Sequence, residues 1–198
     1  MRINMIKNEL PTRIRCDWVN MKNENYIAYH DNEWGRVVHK DEALYELFIL
    51  ETFQAGLSWE CVLNKRNNFF VAFDGFDIDR VCAYGEKDIE RLMNDSGIIR
   101  NRRKITAAIK NSRIFAEIQQ EFGSFDSYIW SFTEGKVIRE EYILRTTSPL
   151  SDRISADLAS RGMTFVGSTT VYSYLQAIGV IYGHKKSCFC YRAKKPGK

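Results

Sequence analysis

The 198-residue sequence has no apolar run that approaches the ~20 residues a membrane-spanning helix needs. Its first nine residues, MRINMIKNE, contain no continuous apolar core, so a secretory signal is not expected. Proline is scarce, with three residues, and glycine stands at twelve, which excludes collagen-like and low-complexity chains. The five cysteines are an odd number in a chain long enough to bury a core without staples, so a disulfide scaffold is disfavoured. No internal repeat, no linker and no strand–helix alternation is visible. These absences describe a cytoplasmic, globular protein with no membrane association.

Hydrophobic residues make up 44% of the chain and charged residues 27%, the ordinary balance of a folded domain. Twenty-nine lysines and arginines against 25 acids leave a net charge of only +4, but the charge is unevenly placed. Gly97 to Arg113 holds six basic residues and no acid, and His184 to Lys198 holds six more, again with no acid. The other 166 residues carry 17 basic and 25 acidic side chains. A mildly acidic body with two concentrated basic segments suits a polyanion docked on one face. After Tyr191 the bland alternative, a solvated tail, is the better reading.

The periodicity is helical, and the fold class expected is all-α. Asp41 is read as the N-cap of a helix through Leu44, Leu47, Phe48 and Ala55. Short helical patterns follow Asp77 and Glu86-Lys87-Asp88, the second ending near Met93. A longer helix is expected from Lys104 to about Gln120, and an amphipathic one from Ser151 to Arg161. Ser168 to about Ile181 is apolar all round, as a buried helix would be, although Thr169-Thr170-Val171-Tyr172 leaves a strand open for its first part.

Three constellations can carry chemistry. Cys16 and His30 lie near one end of the chain, and His184 and Cys188, one helical turn apart, near the other. Two thiolates and two imidazoles complete a closed tetrahedral site that would pin the termini together without Lewis-acid chemistry. Spacing alone is as compatible with two unrelated pairs, and Cys190 is a rival ligand. The second constellation centres on Glu51, which follows Leu47 by four residues and Phe48 by three. It therefore falls on an apolar face, where an ion is costly without partners. Such a group is either paired structurally or kept for function, and Gln54 could reinforce either use. Trp18, Tyr26, Tyr29, Trp34 and Trp59 supply aromatics nearby. An aromatic pocket with one carboxylate suits a flat, cationic or amine-bearing ring. The third is Asp95 to Ile105, where a helix stops at Gly97 and a basic helix starts at once. Its N-terminal N–H groups, with Arg and Lys alongside, can hold a phosphate without reading sequence.

Tyr26-Ile27-Ala28-Tyr29-His30-Asp31-Asn32-Glu33-Trp34-Gly35, then Leu50-Glu51 with Gln54-Ala55-Gly56-Leu57-Ser58-Trp59, resemble the DNA-3-methyladenine glycosylase I family. So do Gly97-Ile98-Ile99-Arg100, Phe165-Val166-Gly167 and the His184 to Cys188 ending. The resemblance runs in matching order from about Cys16 to Tyr191. It implies one compact helical domain over 16–191 with a helix-hairpin-helix over about 86–120, preceded by an extension (1–15) and followed by a basic tail (192–198). It also implies a single structural Zn2+ on Cys16, His30, His184 and Cys188. Glu51 would face the excised base, with Tyr29, Trp59, Tyr26 and Trp18 also in the pocket. Leu57, after Gly56, would wedge into the gap left by the flipped nucleotide. Gly97, Arg100, Arg102 and Lys104 would grip the DNA backbone.

The resemblance implies a monofunctional base-excision repair enzyme that works on alkylated double-stranded DNA, releases free 3-methyladenine and acts as a monomer. Thr52-Phe53 stands after the glutamate where a glycine is common, and no residue matches the wider superfamily's catalytic aspartate. Methylation at N3 makes the base cationic and a better leaving group, so extrusion and recognition are the main tasks. No lysine is marked for Schiff-base chemistry, so hydrolysis without strand cleavage is expected. A non-catalytic zinc-stabilised DNA-binding protein and a zinc hydrolase are the competing classes.

Overall fold

The computed structural model describes residues 13–140 and 145–193. The expected extension and basic tail lie largely outside the described residues. Ten helices are found among those described: α1 (Glu24–Asn32), α2 (Asp41–Gln54), α3 (Trp59–Leu63), α4 (Arg66–Ala72), α5 (Ile78–Cys82), α6 (Glu86–Asn94), α7 (Arg102–Phe122), α8 (Phe125–Ser131), α9 (Pro149–Ser160) and α10 (Ser168–Ala177). A 3-10 turn at Asp74–Phe76 separates α4 from α5.

Two features depart from an all-helical chain. Ile138–Arg139 (β1) and Ile181–Tyr182 (β2) pair in parallel as a two-stranded sheet. The helix expected to reach Ile181 instead stops at Ala177, because the backbone of Arg36 passes against Gly179. A Cβ on Gly179 would sit 2.5 Å from the Arg36 carbonyl carbon, and its φ of +75° is one that glycine adopts freely. Beyond that corner the β-branched Val180 and Ile181 extend.

Asp41 also differs from its expected role. Lys40 occupies the cap position of α2, and the Asp41 carboxylate accepts from the backbone N–H groups of Phe125 and Asp126 at 2.8 and 2.9 Å. It therefore satisfies the first turn of α8, where a negative charge is favoured. Asp77 does cap α5, accepting from the Arg80 N–H, and Asn101 caps α7 in the same way through Lys104.

α2 is the central helix. Nine of its residues, Leu44, Tyr45, Leu47–Phe53, are buried, against α10 on one side and α7 and α8 on another. Aromatic rings fill the centre, with Phe115 stacked on Phe125 at 3.9 Å and Phe48 edge-on to Tyr174 at 5.4 Å. Each such buried side chain contributes roughly 1.5–3 kcal/mol. Their hydroxyls are satisfied: Tyr45 meets Ser112 Oγ at 2.6 Å and Tyr174 donates to the Leu44 carbonyl. A helix this enclosed holds any polar group on it in a dry, fixed place.

Candidate active site and metal centre

Glu51 is that polar group. It sits on the buried face of α2, and its Oε2 has no hydrogen-bond partner. Burial alone pushes its carboxyl up to about 8, so the acid is largely protonated at neutral pH when nothing is bound. It opens onto a cavity of about 240 Å³ walled by Trp18, Tyr26, Tyr29, Trp34 and Trp59. Gln54, Ser173 and Gln176 complete the lining. Tyr29 and Trp59 lie 5.2 Å apart between ring centres, and Trp18 lies 5.4 Å from Tyr26. The Trp59 indole Nε1 is the second buried polar atom without a partner. One unpaired acceptor and one unpaired donor thus belong to an otherwise aromatic pocket.

All four residues expected around the carboxylate, Tyr26, Tyr29, Trp18 and Trp59, are in this wall. Trp34, named only among the nearby aromatics, lines the cavity too, and Ser173 and Gln176 are the lining residues to which the sequence reading gave no role. Gln176 carried a signal: it is the one amide in the apolar stretch Val171 to Ile178.

Beside the cavity, Cys16, His30, His184 and Cys188 converge, all buried, with their ligand atoms within 4.8 Å of one another. Cys188 Sγ lies 3.4 Å from His30 Nε2 and 3.7 Å from His184 Nδ1, and Cys16 Sγ lies 3.6 Å from His184 Nδ1. Sulfur and nitrogen bound to one tetrahedral zinc are separated by roughly 3.6 Å, from bond lengths near 2.3 and 2.05 Å. The ring orientations agree. His30 Nδ1 meets Asp31 Oδ1 at 2.8 Å and His184 Nε2 donates to the Trp34 carbonyl at 3.2 Å, which turns the other nitrogen of each ring inward. Burial lowers His184 to about 4 and His30 below its usual value, so both rings are neutral, as ligation requires. Burial raises the Cys16 thiol to about 12, so only a bound cation would hold it as thiolate. Donor set, spacing and orientation all fit a metal ion. Cys190 is turned aside, its Sγ near the carbonyls of His30 and Asp31, though with His30 and Asp31 it forms a second grouping of ligand atoms.

A larger cavity, about 590 Å³, opens on the other residues around this cluster and is lined by Arg36, Arg139 and Arg192. Its one acid, Asp31, is already paired with Arg15 and His30. It lacks the unpaired carboxylate that marks the smaller cavity, which we take as the site.

The third constellation is a helix, a turn and a helix: α6, residues 95–101 and α7. Asp95 Oδ1 accepts from the Gly97 N–H at 2.7 Å, and the Gly97 carbonyl accepts from Lys65 and Asn68. Ile98 is buried and Arg100 exposed. Arg102 pairs with Glu86. Lys104 corrects the expectation that its charge faces DNA. Its Nζ is turned inward and donates to the carbonyls of Phe53 and Ala55 at 2.8 and 2.6 Å. These are orphan acceptors at the C-terminus of α2, so the lysine caps that helix and ties it to α7. The loop it steadies continues into Gly56, whose φ is +75°, and Leu57, which is 41% exposed.

A helical body that closes an aromatic cavity on one unpaired carboxylate, beside a basic helical turn, has the make-up of an enzyme that takes a base out of DNA. The sequence model described as methyladenine glycosylase matches residues 18–191. A curated relative, DNA-3-methyladenine glycosylase 1 of Escherichia coli (strain K12), is 42% identical over 92% of this chain and 99% of its own length. A crystal structure of 3-methyladenine DNA glycosylase I superposes with a TM-score of 0.87 at 43% identity, covering 90% of this chain and all of that one. Another, of a variant in complex with 3-methyladenine, has a TM-score of 0.82 at 33% identity, covering 85% and 92%. The chain belongs to the methyladenine glycosylase family.

Proposed function

We propose that this protein hydrolyses the N-glycosidic bond of 3-methyladenine in alkylated double-stranded DNA, leaving the phosphodiester backbone intact. The observation that carries this reading is the unpaired, buried Glu51 carboxyl in a cavity walled by aromatics. A nucleotide methylated at N3 of adenine is cationic. Extruded into the cavity, it brings the positive charge that Glu51 lacks and lowers the acid's proton affinity again. The ionised Glu51 Oε2 then accepts from the exocyclic amine, and the aromatic faces of Tyr29, Trp59, Tyr26 and Trp18 attract the charged ring. Ordinary adenine is neutral and brings no such compensation. Glu51 acts in this account chiefly by recognition, since the departing cationic base needs little further activation.

Leu57 fills the gap left by the extruded nucleotide, presented on the turn that Gly56 makes. The α6–α7 unit serves as a helix-hairpin-helix: Gly97 and the start of α7 bring backbone N–H groups to a phosphate, with Arg100 and Arg102 alongside. Cys16, His30, His184 and Cys188 hold one structural Zn2+, which supplies cross-linking and no Lewis acidity, because four protein ligands close its sphere. The enzyme acts as a cytoplasmic monomer. Among the described residues no helix is long and apolar enough to cross a membrane.

The test is chromatography of bases released from methylated duplex DNA, with the strands sized afterwards. Free 3-methyladenine and uncut strands support the reading. Strand cleavage, or a protein trapped on DNA by borohydride, contradicts the monofunctional mechanism, and no release from folded protein contradicts the whole.

A further inference from the structure

The metal cluster and the base cavity share a wall. The Trp34 indole lines the cavity, stands edge-on to the His184 ring at 4.7 Å, and its carbonyl accepts from His184 Nε2. Trp18 lines the same cavity, meets His30 edge-on at 5.3 Å and Trp34 at 4.9 Å. Trp34 thus rests on both histidines of the cluster, Trp18 on His30, and the two tryptophans on each other.

The backbone beneath them is wedged in place. After Trp34 the chain turns at Gly35, with φ at +72°, and a Cβ there would lie 3.0 Å from His184 Nε2. The Gly35 N–H donates to the carbonyl of Gln176, itself part of the cavity lining. On the other side Glu33 is held at 2.6 Å by Arg66, which also binds Glu46 of α2. The segment 33–35 is thus tied to α1, α10 and Arg66, with the His184 ring packed directly against its turn.

We propose that the metal centre sets the shape of the base cavity through Trp18 and Trp34, so that metal and base bind cooperatively. Trp34 is a positioning residue in this arrangement, and the proposal rests on the cavity being the base site. Release of the ion removes the inner tether of the two imidazole rings and leaves each held only at its outer nitrogen. The tryptophans packed on them gain freedom, and the slot for the flat base loosens. Linkage makes the effect reciprocal: whatever factor the ion adds to base affinity, the base adds to ion affinity.

Free 3-methyladenine is titrated into zinc-loaded full-length protein and into protein stripped by a chelator, read by tryptophan fluorescence, with helicity checked by circular dichroism. Affinity at least tenfold weaker in stripped, still helical protein is the expected result; equal affinities overturn the coupling. Loaded protein that binds no 3-methyladenine overturns the cavity reading itself, and with it this proposal. If the stripped protein loses its helicity, zinc transfer from the loaded protein to a chromophoric chelator is timed instead, with and without saturating 3-methyladenine. The base is expected to slow transfer about tenfold in the native sequence and much less in Trp34→Phe. No slowing, or equal slowing in both, overturns the proposal.

Discussion

His30 and Tyr29 are neighbours in the chain, yet the two buried clusters they belong to treat their polar atoms in opposite ways. At the candidate metal centre each imidazole has its outer nitrogen engaged, by Asp31 or by the Trp34 carbonyl, and its inner nitrogen aimed at the sulfurs. In the aromatic cavity proposed for the base, Glu51 Oε2 and Trp59 Nε1 have no protein partner at all. A cluster oriented from outside suits a lasting occupant such as the proposed metal ion. A cavity with one unpaired acceptor and one unpaired donor is built for a visitor that supplies the missing partners and leaves again.

The sharpest break in this comparison is removal of the proposed ion. Chelation, or Cys188→Ala, is expected to lower stability on the order of 5 kcal/mol, a fall in Tm of roughly 10–20 °C by calorimetry. An unchanged Tm would show that the four side chains hold the termini together unaided.

Glu51→Gln should do the reverse. The folded protein holds the Glu51 proton up to about pH 8, whereas the unfolded chain loses it near its ordinary value of 4.5. Stability therefore falls as pH rises from about 4.5 to 8, by on the order of 5 kcal/mol in full. The neutral amide escapes that loss, so the variant's advantage in Tm should grow across this window. Recognition of the cationic base should weaken by about 1.5–3 kcal/mol, a factor of roughly 10–150 in excision. A Tm difference independent of pH would mean the acid is not desolvated.

Smaller effects separate a basic group of α7 from one on the turn before it. Lys104→Met leaves two carbonyls of α2 unmatched and should cost about 2–3 kcal/mol in denaturant unfolding, with the salt dependence of DNA binding unchanged. Arg100→Ala, on the exposed turn, should leave stability within about 0.5 kcal/mol and reduce the slope of log affinity against log salt by about 1. Exchange of these two outcomes would reverse the assignment of the lysine.

Most of the helices were legible because apolar spacing and caps such as Asp77 act locally, through backbone geometry the sequence states directly. Asp41 was misplaced by one position because its partners, Phe125 and Asp126, lie more than 80 residues away. The end of α10 had the same kind of cause: Arg36, distant in sequence, crosses at Gly179. Glu51 was visible from one helix alone, since i, i+3 and i+4 spacing put an acid on an apolar face. Lys104 looked like surface charge because nothing in its own helix reveals the carbonyls of Phe53 and Ala55. Ser173 and Gln176 reach the cavity only through tertiary packing.

The most direct test of the account is single-turnover release of 3-methyladenine from methylated duplex DNA between pH 6 and 9, by the native sequence and by Glu51→Gln. Protein is kept subsaturating, so that the rate reports the unliganded acid. If the ionised carboxylate receives the cationic base, the native rate climbs with pH through a midpoint near 8 and levels off above it. The glutamine variant is then slower and flat across the range. A Glu51→Gln rate close to native at every pH would contradict the assignment of Glu51 as the base's partner.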